Sequence, residues 1–316
     1  MKAARAQSQS VDLSVAWQEW QVSQEAKITV YRLITLEKEI ALVAEVDQRL
    51  GEILDLSRRA AGEGTETQLD LVAAEAAANQ ANANLSDLTN QFHEGQINLN
   101  RIMGFPAQTQ FKLQDSIDLP DHWDPPSTVK IMGELEQRRL DLVALHRGYE
   151  SQDATVRTAI LRQFPAINIG LNYARDTGNV VTTGFGVSIS LPVFNRNRGQ
   201  IKIEEATRQA LFDEYIARLF EARSEIEALQ ENARFLNEQI KNAQAAEPGL
   251  ERLVDSYRAA VGNGSADILS YYTAWNNLTE KRIEILNLKE QLMETRIGLE
   301  ITSGLYNVDI TEGAGN

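Results

Sequence analysis

This chain has no cysteine and only three histidines among its 316 residues. Without cysteine there can be no disulfide, no thiolate nucleophile and no cysteine-based metal site, and the absence fits any compartment. His93, His122 and His146 fall on separate predicted elements, with no ligand spacing such as His-x-x-x-His, so no protein-bound metal is expected. Proline is scarce as well, at 7 residues, and Gly and Pro gather in few places, which leaves long tracts free to be helical. Basic residues are outnumbered, 31 Lys and Arg against 45 Asp and Glu, for a formal charge of −14. No basic stripe is available to neutralise phosphates, so nucleic acid is excluded as a partner. No run of about eighteen apolar residues occurs, so no transmembrane helix is encoded. The start Met1-Lys2-Ala3-Ala4-Arg5 has the charge of a signal peptide. The next residues, Ala6-Gln7-Ser8-Gln9-Ser10, lack its apolar core.

What the chain does have is a repeat. Residues 1–104 lie over 201–304 without a gap. Arg58-Arg59-Ala60-Ala61-Gly62-Glu63-Gly64-Thr65 sits over Arg258-Ala259-Ala260-Val261-Gly262-Asn263-Gly264-Ser265. Gln91, Glu94, Ile97, Leu99 and Gly104 meet Gln291, Glu294, Ile297, Leu299 and Gly304, and Leu36, Ile40, Leu50 and Asp55 also recur. So long a period is a duplicated helical hairpin rather than a short solenoid unit. Met1 falls over Ile201, inside a helix, so the chain is expected to begin mid-repeat, N-terminally truncated.

The first long helix is predicted from about Val11 to Ala61. Its seam reads Leu33, Leu36, Ile40, Val43, Asp47, Leu50, Leu54, in steps of three and four, which is the pattern of a left-handed coiled coil. The second seam keeps the register: Ile226, Leu229, Ala233, Leu236, Ile240, Ala243, Glu247, Leu250, Val254. Asp47 and Glu247 stand at matching places, either as a solvated seam edge or as functional acids. Each long helix ends at a Gly-x-Gly-[Ser/Thr] tip, 62–65 and 261–265, where glycine supplies a left-handed turn and Thr65 or Ser265 is expected to cap the return helix. The return helices are placed at 66–103 and 265–303. The first is rich in alanine (Ala73, Ala74, Ala76, Ala77, Ala78, Ala81, Ala83), which allows close helix approach. Pro248-Gly249 is expected to kink the second long helix.

The chain accordingly divides into a first helical hairpin at 1–104, an irregular connector at 105–130, a helix at 131–163, a β-hairpin at 164–194, a second helical hairpin at 195–304 and a tail at 305–316. The connector holds Phe105-Pro106, Pro120, Pro125 and Pro126. In the β-hairpin, Ile167, Ile169, Leu171 and Tyr173 alternate with Asn168, Gly170 and Asn172. Phe185, Val187, Ile189, Leu191 and Val193 alternate with Gly186, Ser188 and Ser190. Period-two alternation means strands. Nine or ten residues suffice to cross a bilayer at a tilt, and one apolar face with one small, polar face fits a membrane barrel. The same pattern also fits a hairpin with one buried face. Proline at 192 can end a strand, and Asn195 or Asn197 can open the next helix.

Strand hairpin, Leu191-Pro192-Val193-Phe194-Asn195-Arg196-Asn197-Arg198-Gly199-Gln200-Ile201, long heptad helix, glycine tip and return helix, all duplicated, together resemble the TolC-type outer membrane efflux proteins. The Pro192–Ile201 run resembles the branch that serves heavy-metal resistance–nodulation–division pumps. The resemblance covers nearly all of residues 1–306. It implies a mainly α fold with a β-hairpin: duplicated long coiled-coil hairpins plus transmembrane barrel strands, trimeric as a channel-tunnel. It implies an outer membrane site in a Gram-negative bacterium, a periplasmic helical tunnel, and contact with outer membrane lipid. It further implies a homotrimer, a periplasmic adaptor (membrane fusion) protein at the tips, and an inner-membrane resistance–nodulation–division pump beyond it. The function implied is passive conduction of substrate, heavy-metal cations among the classes considered, from the periplasm to the exterior.

On this resemblance the adaptor-contact residues are Gly62, Gly64 and Thr65 of the first tip and Val261, Gly262, Gly264 and Ser265 of the second. Asp267, in Asp267-Ile268-Leu269, and its counterpart Asp70, in Leu69-Asp70-Leu71, match acids that ring the inner end of the tube. Asp267 also reads as an acid stabilised by a helix N-terminus. Pro192, Phe194, Asn195 and Gly199 mark the strand–helix junction. On the resemblance a signal peptide and an earlier strand hairpin are expected ahead of residue 1, and the family often has a second acid three residues after the first, where this chain has Ser270. The alternative is a soluble periplasmic coiled-coil scaffold, adaptor-like, whose hairpin is an ordinary β-ribbon. An enzyme is not expected: the tips lack the context of a dinucleotide site, and Ser265 has no nearby histidine to activate it. Trp17, Trp20, Trp123 and Trp275 are expected in packing, and no cofactor is implied.

Overall fold

The computed structural model describes residues 2–63, 67–110, 118–190, 194–263 and 265–305. In chain order the elements are α1 (Lys2–Gly62), α2 (Gln68–Met103), α3 (Thr128–Arg138), α4 (Leu140–Leu161), β1 (Ala166–Arg175), β2 (Val181–Ser190), α5 (Arg198–Gly262) and α6 (Ile268–Ser303). The duplication shows in the lengths. Two helices of 61 and 65 residues are each followed by one of 36.

The α5 seam lies where the heptads put it: Ile226, Ala233, Leu236, Ile240, Ala243 and Val254 are buried, and Leu229, Glu247 and Leu250 are partly covered. The α1 seam differs from its expectation. Below Val43 it runs through Val46, Leu50, Ile53 and Ser57, and Glu39 is buried where Ile40 was expected. Asp47 and Leu54 are only partly covered. The cause is that α1 packs on more than one side: Leu33, Ile34, Thr35 and Leu36 are four consecutive buried residues. A single-partner heptad cannot describe such a helix.

Two further expectations are corrected. α1 begins at Lys2 rather than near Val11. The helix expected at 131–163 is two, because Arg139 adopts an extended conformation (φ −78°, ψ 106°) between α3 and α4. A partly local ion-pair network sits at the break: Arg139 Nε donates to Asp141 Oδ1, two residues on, at 2.8 Å, and Arg218 of α5 reaches Asp141 Oδ2 at 3.4 Å. Asp141 is buried, and the Arg139 guanidinium stacks 5.3 Å from the Trp17 ring. α5 is continuous across Pro248, where the kink is expected. Pro248 and Gly249 are solvent-exposed, so water can satisfy the carbonyl that loses its helical donor.

The chain divides into two compact units. One takes in the chain up to Gln18 together with Met132–Arg223. Within it α1 and α4 approach closely, with Ser10 Oγ donating to the Ala144 carbonyl and Ser151 Oγ to the Ala3 carbonyl, each at 2.8 Å. The β-hairpin belongs to this unit. β1 and β2 pair antiparallel, with Ile167 opposite Ile189, Ile169 opposite Val187 and Leu171 opposite Phe185. The turn is set by Asp176, whose Oδ1 accepts from the amides of Gly178 and Val180, and by left-handed Asn179.

The other unit comprises Glu19–Ile131 and the chain from Ser224 onward. It holds the lower parts of α1 and α5, with α2, α6 and the connector. A ladder of amides on α5, at Gln230, Asn237 and Gln244, fastens that connector. Gln230 Nε2 donates to the Pro126 carbonyl at 2.8 Å, Asn237 exchanges two hydrogen bonds with the Trp123 backbone, and Gln244 Nε2 donates to Asp121 Oδ1 at 2.8 Å. The seven-residue spacing returns each amide to the same face of α5. Lys289 of α6 also pairs with Asp121, at 2.5 Å.

Candidate functional site

The β-hairpin is the first part of the site. Every residue of both strands is exposed. Ile167, Ile169, Leu171, Tyr173, Phe185, Val187 and Ile189 share one face, with Leu171 exposed to 85%. The other face carries Asn168, Gly170, Asn172, Gly184, Gly186 and Ser188. A hairpin with one buried face is therefore not what the chain forms by itself. Each strand has 10 residues. At about 3.3 Å per residue and a tilt near 45°, such a strand rises about 23 Å, close to the apolar band of a membrane barrel.

The strand exit is the second part. Pro192, with Leu191 and Val193, lies outside the described residues. Phe194 is exposed to 89%. Asn195, Arg196 and Asn197 come next, with positive φ of 57°, 43° and 57°. Asparagine tolerates this left-handed region, and Arg196 between the two asparagines carries the strain. Asn197 Nδ2 donates to the Ala159 carbonyl at 2.8 Å and ties the reversal to the end of α4. α5 then starts at Arg198, directly before Gly199.

The two tips form the third part. Gly64 and Thr65 of the first and Gly264 of the second lie outside the described residues. Gly62 closes α1 and Gly262 closes α5, both exposed. A cluster drawn from four helices packs above them: Val46, Leu50 and Ile53 of α1, Ala81 of α2, Val254 of α5, and Ala274, Trp275 and Leu278 of α6. Arg49 of α1 stacks over the Trp275 ring at 4.4 Å, and Arg58 reaches Glu75 of α2 at 3.5 Å. This packing brings both tips to one end of their unit. Ser265 is not the cap of α6, as the Gly-x-Gly-Ser pattern led one to expect. Its hydroxyl donates back to the Ala260 carbonyl at 3.1 Å, and its amide does so at 2.9 Å, which finishes α5 instead.

The α6 cap is Asp267. Its Oδ1 accepts from the Ser270 amide and its Oδ2 from the Ser270 hydroxyl, both at 2.8 Å. The backbone amide bond from Ser270, reinforced by the hydroxyl, holds the carboxyl below the usual aspartate range. Asp70 lies in α2, and its side chain is outside what is described. Glu247 is gripped by Arg282 of α6 at 2.7 Å, and the same guanidinium reaches Glu251 at 2.6 Å. That pairing accounts for Glu247 as part of an interhelical ion pair. Among the described residues no group of three or more His, Asp or Glu side chains could hold a metal ion. His122 pairs with Asp124, and His146 lies 3.6 Å from Glu150.

Comparisons with known proteins agree on one kind of molecule. The family model described as outer membrane efflux protein matches residues 131–304. The cobalt-zinc-cadmium resistance protein CzcC of Cupriavidus metallidurans is 27% identical over 225 residues, 67% of this chain and 51% of its own length. The chain thus spans about half the length of that relative. A membrane protein of Pseudomonas aeruginosa has the same fold at a TM-score of 0.83 and 18% identity, over 96% of this chain and 70% of that one. The outer membrane protein VceC of Vibrio cholerae shares it at 0.79 and 20%, over 96% and 74%.

Proposed function

Because the chain belongs to the outer membrane efflux protein family, we propose that it is the outer membrane channel of a tripartite efflux pump, working as a homotrimer. The observation that carries this reading is the two-stranded hairpin whose apolar face is wholly exposed. Two strands cannot close a barrel, and open strand edges are not tolerated in hydrocarbon. Further copies of the chain supply the missing strands. A soluble scaffold would leave that face in water. The helices line a periplasmic tunnel, through which substrate passes chemically unchanged. Such a protein is not an enzyme. The cobalt, zinc and cadmium in the name of CzcC and the charge of −14 support metal cations as substrates, since an acidic conduit concentrates them. Incorporation of the purified protein into planar bilayers tests the reading. Discrete conductance and a cross-linked trimer are expected. Extraction without detergent and no conductance would overturn it.

The tips contact a periplasmic adaptor, which links the channel to an inner-membrane resistance–nodulation–division pump. Gly62, Gly64, Thr65, Val261, Gly262, Gly264 and Ser265 present the turn that docks. Support comes from the four-helix cluster, which sets both tips at one end. Gly64→Pro or Gly264→Pro is expected to weaken adaptor pull-down while thermal stability stays unchanged. Undiminished capture would argue against a tip interface.

Asp267, with Asp70, supplies negative charge at the narrow inner end and contributes to a gate. Asparagine caps helices about as well as aspartate, so Asp267→Asn separates charge from cap. It is expected to relieve divalent-cation block in bilayers at unchanged melting temperature. Asp267→Ala additionally loses the cap, at about 1 kcal/mol. Since the carboxyl is held below its ordinary value, the cap's contribution is complete above that value and is lost as pH falls through the depressed one. Identical block in parent and Asp267→Asn would leave Asp267 a cap alone.

A further inference from the structure

Where α1 meets α6, one guanidinium bonds one carboxylate and acts through space on two more. Arg32 of α1 donates through Nη1 to Glu290 of α6, at 3.1 Å to Oε2 and 3.4 Å to Oε1. Its Nη2 donates at 3.3 Å to Gln91 of α2, whose amide nitrogen in turn donates to Asp87. Glu39, two turns beyond Arg32, is 3% exposed, and Glu290 is 5% exposed. Glu39 takes a seam position between Leu36 and Val43, where its neighbours are apolar and buried. Glu294, one turn along α6, lies at the solvent-exposed edge of the group. Nearby cations are engaged elsewhere: Lys38 with Asp118, Lys289 with Asp121. Arg32 is paired with Glu290, so of the two buried carboxylates Glu39 has no ion-pair partner among the described residues, and a buried charge so placed is costly.

We propose that Arg32, Glu39, Glu290 and Glu294 form a proton-sensitive clamp between the two helical hairpins, with Glu39 the group that takes up the proton. Burial pushes the Glu39 carboxyl above the usual glutamate range. Arg32 offsets part of this, Glu290 adds to the rise, and a hydrogen bond from Asn287 lowers it again. Burial, and then Glu290, raise Glu294 in the same direction against Arg32. A carboxyl raised in the folded state binds more protons there than in the unfolded chain. Its folded form is therefore favoured at low pH and loses stability as pH climbs from the ordinary glutamate value through the raised one. Protonation removes the excess negative charge, and α1 and α6 draw together. The first hairpin carries α1 and the second carries α6, so acidity tightens the contact between the repeats.

Glu39→Gln has nearly the same shape as glutamate and is permanently neutral. In the full chain its melting temperature is expected to exceed the parent's by about 2–4 °C near pH ~8, and to coincide with it near pH ~5. Comparing variant with parent cancels the opposite pH trend of carboxyls held low, such as Asp121 and Asp153. Infrared difference spectra should show a protonated carboxylic acid band in the parent at mildly acidic pH, and its loss in Glu39→Gln. Glu294→Gln, at the periphery of the cluster, should shift the melting curve with the same sign and serves if Glu39→Gln does not fold. A variant less stable than the parent at high pH, parallel pH profiles, or an unchanged infrared band would each overturn the clamp.

Discussion

Leu171→Arg is expected to block outer membrane assembly, while Asn172→Arg, one residue further along the same strand, leaves it largely intact. Leu171 stands near the middle of β1, opposite Phe185 on the apolar face. Asn172 is opposite Gly184 on the small, polar face. In a membrane barrel the first face meets lipid and the second the lumen. An arginine on the lipid face near the bilayer midplane costs about 2–4 kcal/mol, and less near the interfaces. In a homotrimer the cost falls on every copy. The lumen face is wet, so the same charge there needs no desolvation. Density-gradient fractionation of the two variants is the measurement. Equal recovery of both in outer membranes would remove the assignment of faces, and with it the barrel.

Trp275→Ala is expected to be the most destabilising single change at the tip end, at about 3–5 kcal/mol. Trp275 is buried amid side chains of four helices, so its removal leaves a cavity that both hairpins would have to fill. Among the described residues its indole Nε1 has no hydrogen-bond partner, which makes its contribution one of packing and of the stacked Arg49 cation. Trp275→Phe keeps a ring in the cluster and is expected to retain most of the stability. Arg49→Met should cost only about 0.5–1 kcal/mol, the scale of a partly exposed cation–π contact. Thermal unfolding of the three variants checks this order. A Trp275→Ala protein as stable as the parent would mean that the four helices do not pack as one cluster. Adaptor capture by Trp275→Phe should survive, because the tip backbone lies beyond the cluster.

Some features of this protein are written locally along the chain. The 200-residue repeat, the heptads and the period-two runs from Ile167 and Phe185 each reflect a periodicity that one helix or strand imposes on its own residues. They were enough to determine two long hairpins, a strand pair and the resemblance to an efflux channel. The glycines at 62 and 262 likewise marked where the long helices end. Tertiary structure decided which partners each element would meet. It rotated the α1 seam from Asp47 and Leu54 to Val46 and Ile53, because α1 is covered on more than one side. At the break between α3 and α4 it brought Arg218 of α5 to Asp141, beside the local pair that Asp141 makes with Arg139. At the second tip two side chains were able to cap, and the path of the turn gave the role to Asp267 and turned Ser265 back onto α5. Nothing local announces that the connector will lie on Gln230, Asn237 and Gln244. Glu39 has the composition of a surface residue and became buried only when α6 arrived. A polar side chain carries the same signal in sequence whether water or another helix will satisfy it, and only the packed chain supplies the difference.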